Sequence, residues 1–161
     1  MRRTLNTVVL VSMIALATVA RVGAQSSDRD GEIMAALDAF LNGWNSRDAK
    51  TFASALHFPH VVFEGGNPRT TQSASDFIAR GAELWATAQP DWDRSVWEER
   101  RIVQRLPGVV HVAGRWARLD KSGKIIGRAD VLYIIANKDG RWAIAARSGS
   151  RGAQGALKTP Q

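Results

Sequence analysis

The chain has no cysteine, so no disulfide closes any part of it, and no thiolate can hold a metal or act as a nucleophile. Histidine is scarce: only His57, His60 and His111. Two of these flank Phe58-Pro59, a spacing without the helical geometry of a metal motif, and no third ligand accompanies them, so a metal site is not expected. There is no glycine-rich phosphate loop, no nucleophile elbow and no internal repeat. The arginines are scattered and no nucleic-acid-binding motif accompanies them, which argues against a nucleic-acid partner.

What is present begins with an apolar leader. Met1-Arg2-Arg3 gives a positive start, Thr7 to Ala20 is an uncharged apolar run, and Val22-Gly23-Ala24 supplies small residues. This three-part pattern predicts a signal peptide over 1–24, cleaved near Ala24/Gln25, and a periplasmic or secreted protein with no membrane attachment after cleavage. The run is shorter than the roughly 20 apolar residues of a membrane-spanning helix; an uncleaved anchor is the alternative. No cysteine follows the run, which excludes a lipid-anchored form. With 22 Lys and Arg against 15 acids in the whole chain, loss of Arg2, Arg3 and Arg21 leaves a net charge of +4, so the pI of about 10.8 overstates how cationic the remaining domain is. Six Trp and five Phe supply the core of one globular domain.

After a polar leader at 25–30, Ile33, Leu37, Phe40, Leu41 and Trp44 recur at helical spacing. Asn45 to Asp48 breaks the pattern and offers a cap for a short second helix with Phe52, Ala53 and Leu56 on its apolar side, stopped by Pro59. Val61 to Glu64 reads as a strand ending in the turn Gly65 to Pro68. Ser73-x-x-Asp76 opens a third helix with Phe77, Ile78, Leu84 and Trp85 on one face, and Gly81 within it predicts a close backbone contact. Four strands follow, about Ser95 to Arg105, Val109 to Leu119, Lys124 to Asn137 and Arg141 to Ser148, punctuated by turn sequences. A Gly-rich polar segment at 149–161 reads as a disordered tail. Helices first and an antiparallel meander after them predict an α+β domain over 31–148.

Phe40-Leu41-Asn42-Gly43-Trp44-Asn45-Ser46-Arg47-Asp48, the segment Ala55 to Val61 with its His57-Phe58-Pro59-His60, Gly127 to Asp130, and Asp139-Gly140-Arg141-Trp142 occur together in an order that resembles the nuclear transport factor 2-like superfamily in its SnoaL-like, cystatin-like form. The resemblance implies N-terminal helices packed on a strongly curved antiparallel sheet that forms a cone-shaped pocket. The superfamily contains isomerases, cyclases, dehydratases and epoxide hydrolases beside non-catalytic binding and assembly domains, so the fold does not settle the function. Against the steroid-isomerase branch, Phe40 stands at the position of the Tyr donor and Gly65, beside Glu64, at that of the general-base Asp; only Asp130 matches an acidic position. That departure argues against steroid isomerisation.

Asp130 lies in the otherwise apolar Ala129 to Ile135, and a carboxylate there needs a partner or a shifted pKa. The resemblance places it on the pocket face as an acid or base; a structural ion pair is the competing reading. A two-residue loop within Asn137 to Gly140 sets Arg147 opposite it, and a bulge at Gly140 sets Ser148 there instead. His60 opens a strand that lines the cavity in look-alike folds, and is the candidate second acid-base group; His57 is expected either to cap the second helix or to satisfy a buried backbone group. His111 and Arg115 share one face of their strand and Trp116 the other, so the pocket is polar if the first set faces inward and apolar if Trp116 does. Trp97 is a candidate aromatic wall for a flat ligand, with core packing as the alternative.

Two functions follow. One is a small-molecule-binding domain with cofactor-independent acid-base chemistry, lyase, isomerase or hydrolase, using Asp130 and His60 with Arg115, Arg147, His111 and Trp97 around the ligand. The other is a non-catalytic ligand-binding or assembly domain, a homodimer joined through Trp116, Tyr133, Trp142 and Ile144 on the opposite sheet face.

Overall fold

The computed structural model describes residues 29–64, 67–86 and 88–149. The leader and its cleavage point, most of the polar segment before the domain, and the tail after Gly149 lie outside the described residues.

Helix α1 is described over 29–46. Its buried side chains, Ile33, Ala36, Leu37, Phe40 and Leu41, follow the three-four spacing of one helical face. Arg47 takes a left-handed conformation (φ 55°), and Asp48 then caps α2 (Ala49–Ser54) by accepting from the Thr51 backbone N–H at 2.6 Å. The two helices meet at Gly43, where an added Cβ would stand 2.7 Å from the Phe52 Cα. That approach seats the Phe52 ring edge-on to Phe40, Trp44 and Phe77, with Trp85 tilted against it.

Six strands form one sheet in the order β2-β1-β6-β5-β4-β3. They are β1 (Leu56–Glu64), β2 (Asn67–Thr71), β3 (Arg94–Leu106), β4 (Val109–Leu119), β5 (Ile125–Lys138) and β6 (Arg141–Gly149). Every neighbouring pair is antiparallel except β1 with β6. Between β2 and β3 lie the short helix α3 (Ala74–Ala79), capped by the Ser73 hydroxyl, and a 3-10 turn (Gly81–Trp85). Residues on α1 pair with the inner face of β3, Arg100 with Asp38 at 2.6 Å and Arg105 with Asp30 at 2.7 Å. Helices therefore cover one face of a curved sheet, and the inner residues Val112, Tyr133, Ile135 and Ile144 are fully buried beneath them. This is the expected α+β architecture.

Four local expectations change. Leu56 does not belong to α2: it pairs with Ile144, and the strand runs through Pro59, whose peptide bond to Phe58 is cis. Asn67–Thr71, of which Asn67-Pro68 is expected to belong to a turn, forms an edge strand paired with β1. Gly81 makes no close contact; its left-handed backbone (φ 49°) separates α3 from the 3-10 turn, and Ile78 is left exposed. The last hairpin turns on Asp139-Gly140, both with positive φ, so that Lys138 faces Arg141. A bulge between Ile134 and Ile135 then shifts β6 by one more residue, and Arg147 comes to face Tyr133 rather than Asp130.

Candidate functional site: a polar-ended aromatic cavity

Strand alternation decides what the sheet presents to its helical side. On β1, His60, Val62 and Glu64 point inward while Phe63 is exposed; on β4, Trp116 and Arg118 point inward; β5 contributes Tyr133 and β6 Arg147. With Phe40, Leu41 and Trp44 of α1, Phe52 of α2 and the α3 region, they enclose a cavity of about 130 Å³. Its walls are aromatic and aliphatic, and its ionic groups are Glu64, Arg69, Arg80, Glu83, Arg118 and Arg147.

Glu64 organises one end. Its carboxylate accepts from Arg69 Nη2 at 3.1 Å and from Arg147 Nη2 at 2.9 Å, and its side chain is only 9% exposed. Arg118 is buried as well, its guanidinium 5.1 Å from the Trp116 ring centre and 5.9 Å from that of Trp44. Burial lowers its pKa from the usual arginine value, and the Glu64 charge acts in the opposite sense.

His60 is 3% exposed, and its Nδ1 is buried with no hydrogen-bond partner in the protein. Loss of solvation, followed by the positive charge of Arg147, lowers its pKa to about 4; backbone contacts at Ile144 and Ala145 oppose that shift. The imidazole is therefore neutral at pH 7. Tyr133 is fully buried, and its hydroxyl has no partner of hydrogen-bonding geometry. Burial raises the phenol above its ordinary pKa, while Arg147 and the nearby Trp116 side chain act in the opposite direction. At the far side, Ser95 accepts the Trp92 indole N–H at 3.1 Å, and the Asn45 amide clasps the Ser95 backbone through both its oxygen and its nitrogen.

Of the residues anticipated from sequence, His60 and Arg147 line this cavity. Asp130 does not. Ala129, Val131, Tyr133 and Ile135 take the inner positions of β5, so Asp130 lies on the outer face, in a two-point ion pair with its cross-strand neighbour Arg115 at 2.7 and 3.2 Å. The expectation that Asp130 and Arg115 sit in the pocket is thereby corrected, and the structural ion pair holds. His111 shares that outer face, opposite Ile134. Trp97 faces inward but serves the core, edge-on to Tyr133 and close against Gly114, outside the cavity lining. Trp116 is the inward residue of β4, as the apolar alternative required, although Arg118 two positions on restores charge to the same wall. The proposed outer surface of Trp116, Tyr133, Trp142 and Ile144 is also corrected: Tyr133 and Ile144 are fully buried, and both Trp pack against the core.

His57 behaves as expected. Its Nδ1 accepts from Arg141 Nη2 at 3.0 Å, which leaves Nε2–H to donate to the Ala136 and Arg141 carbonyls at 3.1 and 3.0 Å. Sequence reasoning passed over Glu64 as a cavity residue, and missed Arg69, Arg118 and Tyr133. The signal that finds Glu64 is its parity with His60 along one strand; the parity of Arg118 with Trp116 does the same. Among the described residues, no group of three or more His, Asp or Glu is arranged to hold a metal ion, and no helix is long and apolar enough to cross a membrane.

A curved, mainly antiparallel sheet packed against helices is the architecture of the cystatin-like folds. Within it the chain belongs to the NTF2-like protein (DUF6841) family, whose model matches residues 29–151. No curated protein sequence matches the chain. Solved structures share the fold at low identity. One is a protein of unknown function with a cystatin-like fold from Nostoc punctiforme (TM-score 0.62, 11% identity, covering 75% of this chain and 89% of that one). Another is a ketosteroid isomerase-like protein from Erwinia carotovora atroseptica (0.55, 17%, 74% and 93%). A third is an NTF-2 like protein of unknown function from Shewanella oneidensis (0.55, 14%, 76% and 98%).

Proposed function

We propose that this domain binds a small molecule in the cone-shaped cavity and works outside the cytosol. The observation that carries the binding reading is His60 Nδ1, which belongs to a cavity-lining residue and is buried without a hydrogen-bond partner, beside a buried Tyr133 hydroxyl that has the Trp116 side chain near it. Such atoms are costly in a folded protein unless something else satisfies them. Binding is favoured over catalysis because the cavity histidine, His60, has its pKa held near 4 and is a weak proton acceptor at neutral pH, while the Glu64 carboxylate is held in ion pairs with Arg69 and Arg147. Asp130, the acid expected to do that work, faces away from the cavity. Lyase, isomerase or hydrolase chemistry through Asp130 is accordingly not part of this reading.

The test is a thermal-shift screen of the domain against small metabolites, repeated with H60L and Y133F. A ligand that raises the melting temperature of the parent and loses that effect in both variants supports cavity binding. Ligands that stabilise parent and variants alike would place binding elsewhere. The extracytosolic placement rests on the Arg2-Arg3, apolar and Val22-Gly23-Ala24 pattern. Mass spectrometry of the protein from its own cell envelope should find an N-terminus near Gln25; a retained Met1 would sink it.

A specific observation also favours self-association through the outer sheet face. Phe63 and Leu132, 43% and 38% exposed, stand in one cross-strand row on either side of Ser148. A homodimer buried on that row should become monomeric in L132D by light scattering, with the fold retained. A monomeric parent protein would dismiss it.

A further inference from the structure

The chemical class of the ligand follows from the charge and size of the cavity, and rests on the binding reading above. Four arginines, Arg69, Arg80, Arg118 and Arg147, line it against two glutamates, and its histidine is neutral. Glu64 is shared between Arg69 and Arg147, and its charge reaches Arg118 as well. Arg118 is buried and the Arg147 side chain only 23% exposed, so the guanidinium charge at this end is poorly hydrated and favours an entering anion. Arg147 is the cross-strand neighbour of Tyr133, and both line the same cavity as His60. One end of the cavity therefore brings a guanidinium and a phenol together.

The remaining walls are aromatic and aliphatic, with Leu41, Leu56, Val62 and Leu84 between the rings. Phe40, Trp44, Phe52 and Trp116 all line the cavity. Its volume of about 130 Å³ is close to that of an engineered cavity of roughly 150 Å³ that accepts benzene. His60 adds a polar requirement. With the ring neutral and its other side turned to the Ile144 and Ala145 backbone, Nδ1 is an acceptor and asks the ligand for a donor.

We infer that the cavity takes a single-ring aromatic carboxylate bearing a hydroxyl group, with the carboxylate received by Arg147 and the Tyr133 hydroxyl, and the ligand hydroxyl donated to His60 Nδ1. The carboxylate adds a counter-charge beside Arg147, the ring packs on the aromatic walls, and His60 Nδ1 gains a donor.

Isothermal titration of the domain with 2-, 3- and 4-hydroxybenzoate, benzoate and 4-hydroxybenzyl alcohol tests this. At least one hydroxybenzoate should bind about tenfold or more tightly than both benzoate and the neutral alcohol. R147M should lose about tenfold or more for the hydroxybenzoate while barely changing the alcohol, and H60L should abolish the advantage over benzoate. Near-ultraviolet circular dichroism checks that both variants are folded, and the wild-type ligand series stands without them. If the alcohol binds as tightly as the acids, the anion assignment is overturned and the binding reading survives. If none of these compounds binds but the metabolite screen finds an R147-independent neutral ligand, the assignment is again overturned. If neither experiment finds a cavity ligand, the binding reading itself falls.

Discussion

Two of the arginine–carboxylate pairs among the described residues lie on opposite faces of the sheet and differ in exposure. Arg115 and Asp130 face each other across β4 and β5 on the outer side of the sheet, with side chains 45% and 28% exposed. Arg147 and Glu64 meet on the inner side, where the Glu64 carboxylate also holds Arg69 and is nearly closed off from solvent. An exposed pair gains little, because water and salt screen the attraction and two long side chains must be ordered. A buried pair is different in kind. Its net contribution relative to apolar residues is small, but removing one partner leaves a charge in surroundings that solvate it poorly. The comparison teaches that polarity facing a cavity is held in place by its neighbours, whereas polarity on the outer face is replaceable.

The largest effect should come from breaking the inner pair. E64A leaves Arg69 and Arg147 without their shared carboxylate and should cost about 3 kcal/mol in urea unfolding; a loss below about 1 kcal/mol would erase the distinction between the two faces.

A pH experiment reaches the same region through His60. Its folded pKa, near 4, lies below the ordinary 6.5, so between those values the unfolded chain binds the proton that the folded one refuses. Stability should be intact above pH 6.5, fall as pH drops toward 4, and lose up to about 3 kcal/mol from this group. H60L should flatten that part of the profile. An unchanged profile would mean that His60 is solvated.

G43A probes the helix contact that closes the cavity's base. With a Cβ placed 2.7 Å from the Phe52 Cα, α1 and α2 must separate, at a cost of about 2 kcal/mol in the same unfolding assay. No loss would show that the helices are not pressed together there. The smallest effect belongs to the outer pair: D130A should change stability by less than about 1 kcal/mol and leave ligand affinity untouched. A D130A variant that folds normally and no longer binds would reverse the assignment of the two faces.

Much of the fold was legible because it rests on local signals. Helical spacing from Ile33 to Trp44 marked α1, the turn residues marked the meander, and the cap at Ser73 marked α3. Boundaries failed where local preference was overridden by pairing. Leu56 fits a helical face but is drawn into β1 opposite Ile144, and Asn67–Thr71 is held as a strand by β1 alone. The site was legible only in part. His60 and Arg147 were identified, but Asp130 drew attention because it interrupts an apolar strand, and an apolar strand flanked by apolar outer residues gives no indication of which side is inside.

By itself the sequence determined the order of elements, the α+β class, the absence of any thiol or zinc motif, and an apolar, positively started leader. Those depend on periodicity, composition and turn chemistry, which act over a few residues. Tertiary structure alone decided which charges share the cavity. In a strand the side-chain period is two, so a shift of one residue turns every side chain to the other face. The bulge between Ile134 and Ile135 makes one such shift, and nothing in the local sequence announces it. Through that shift Arg147 faces Tyr133 inside the cone, while Asp130 spends its charge on Arg115 outside.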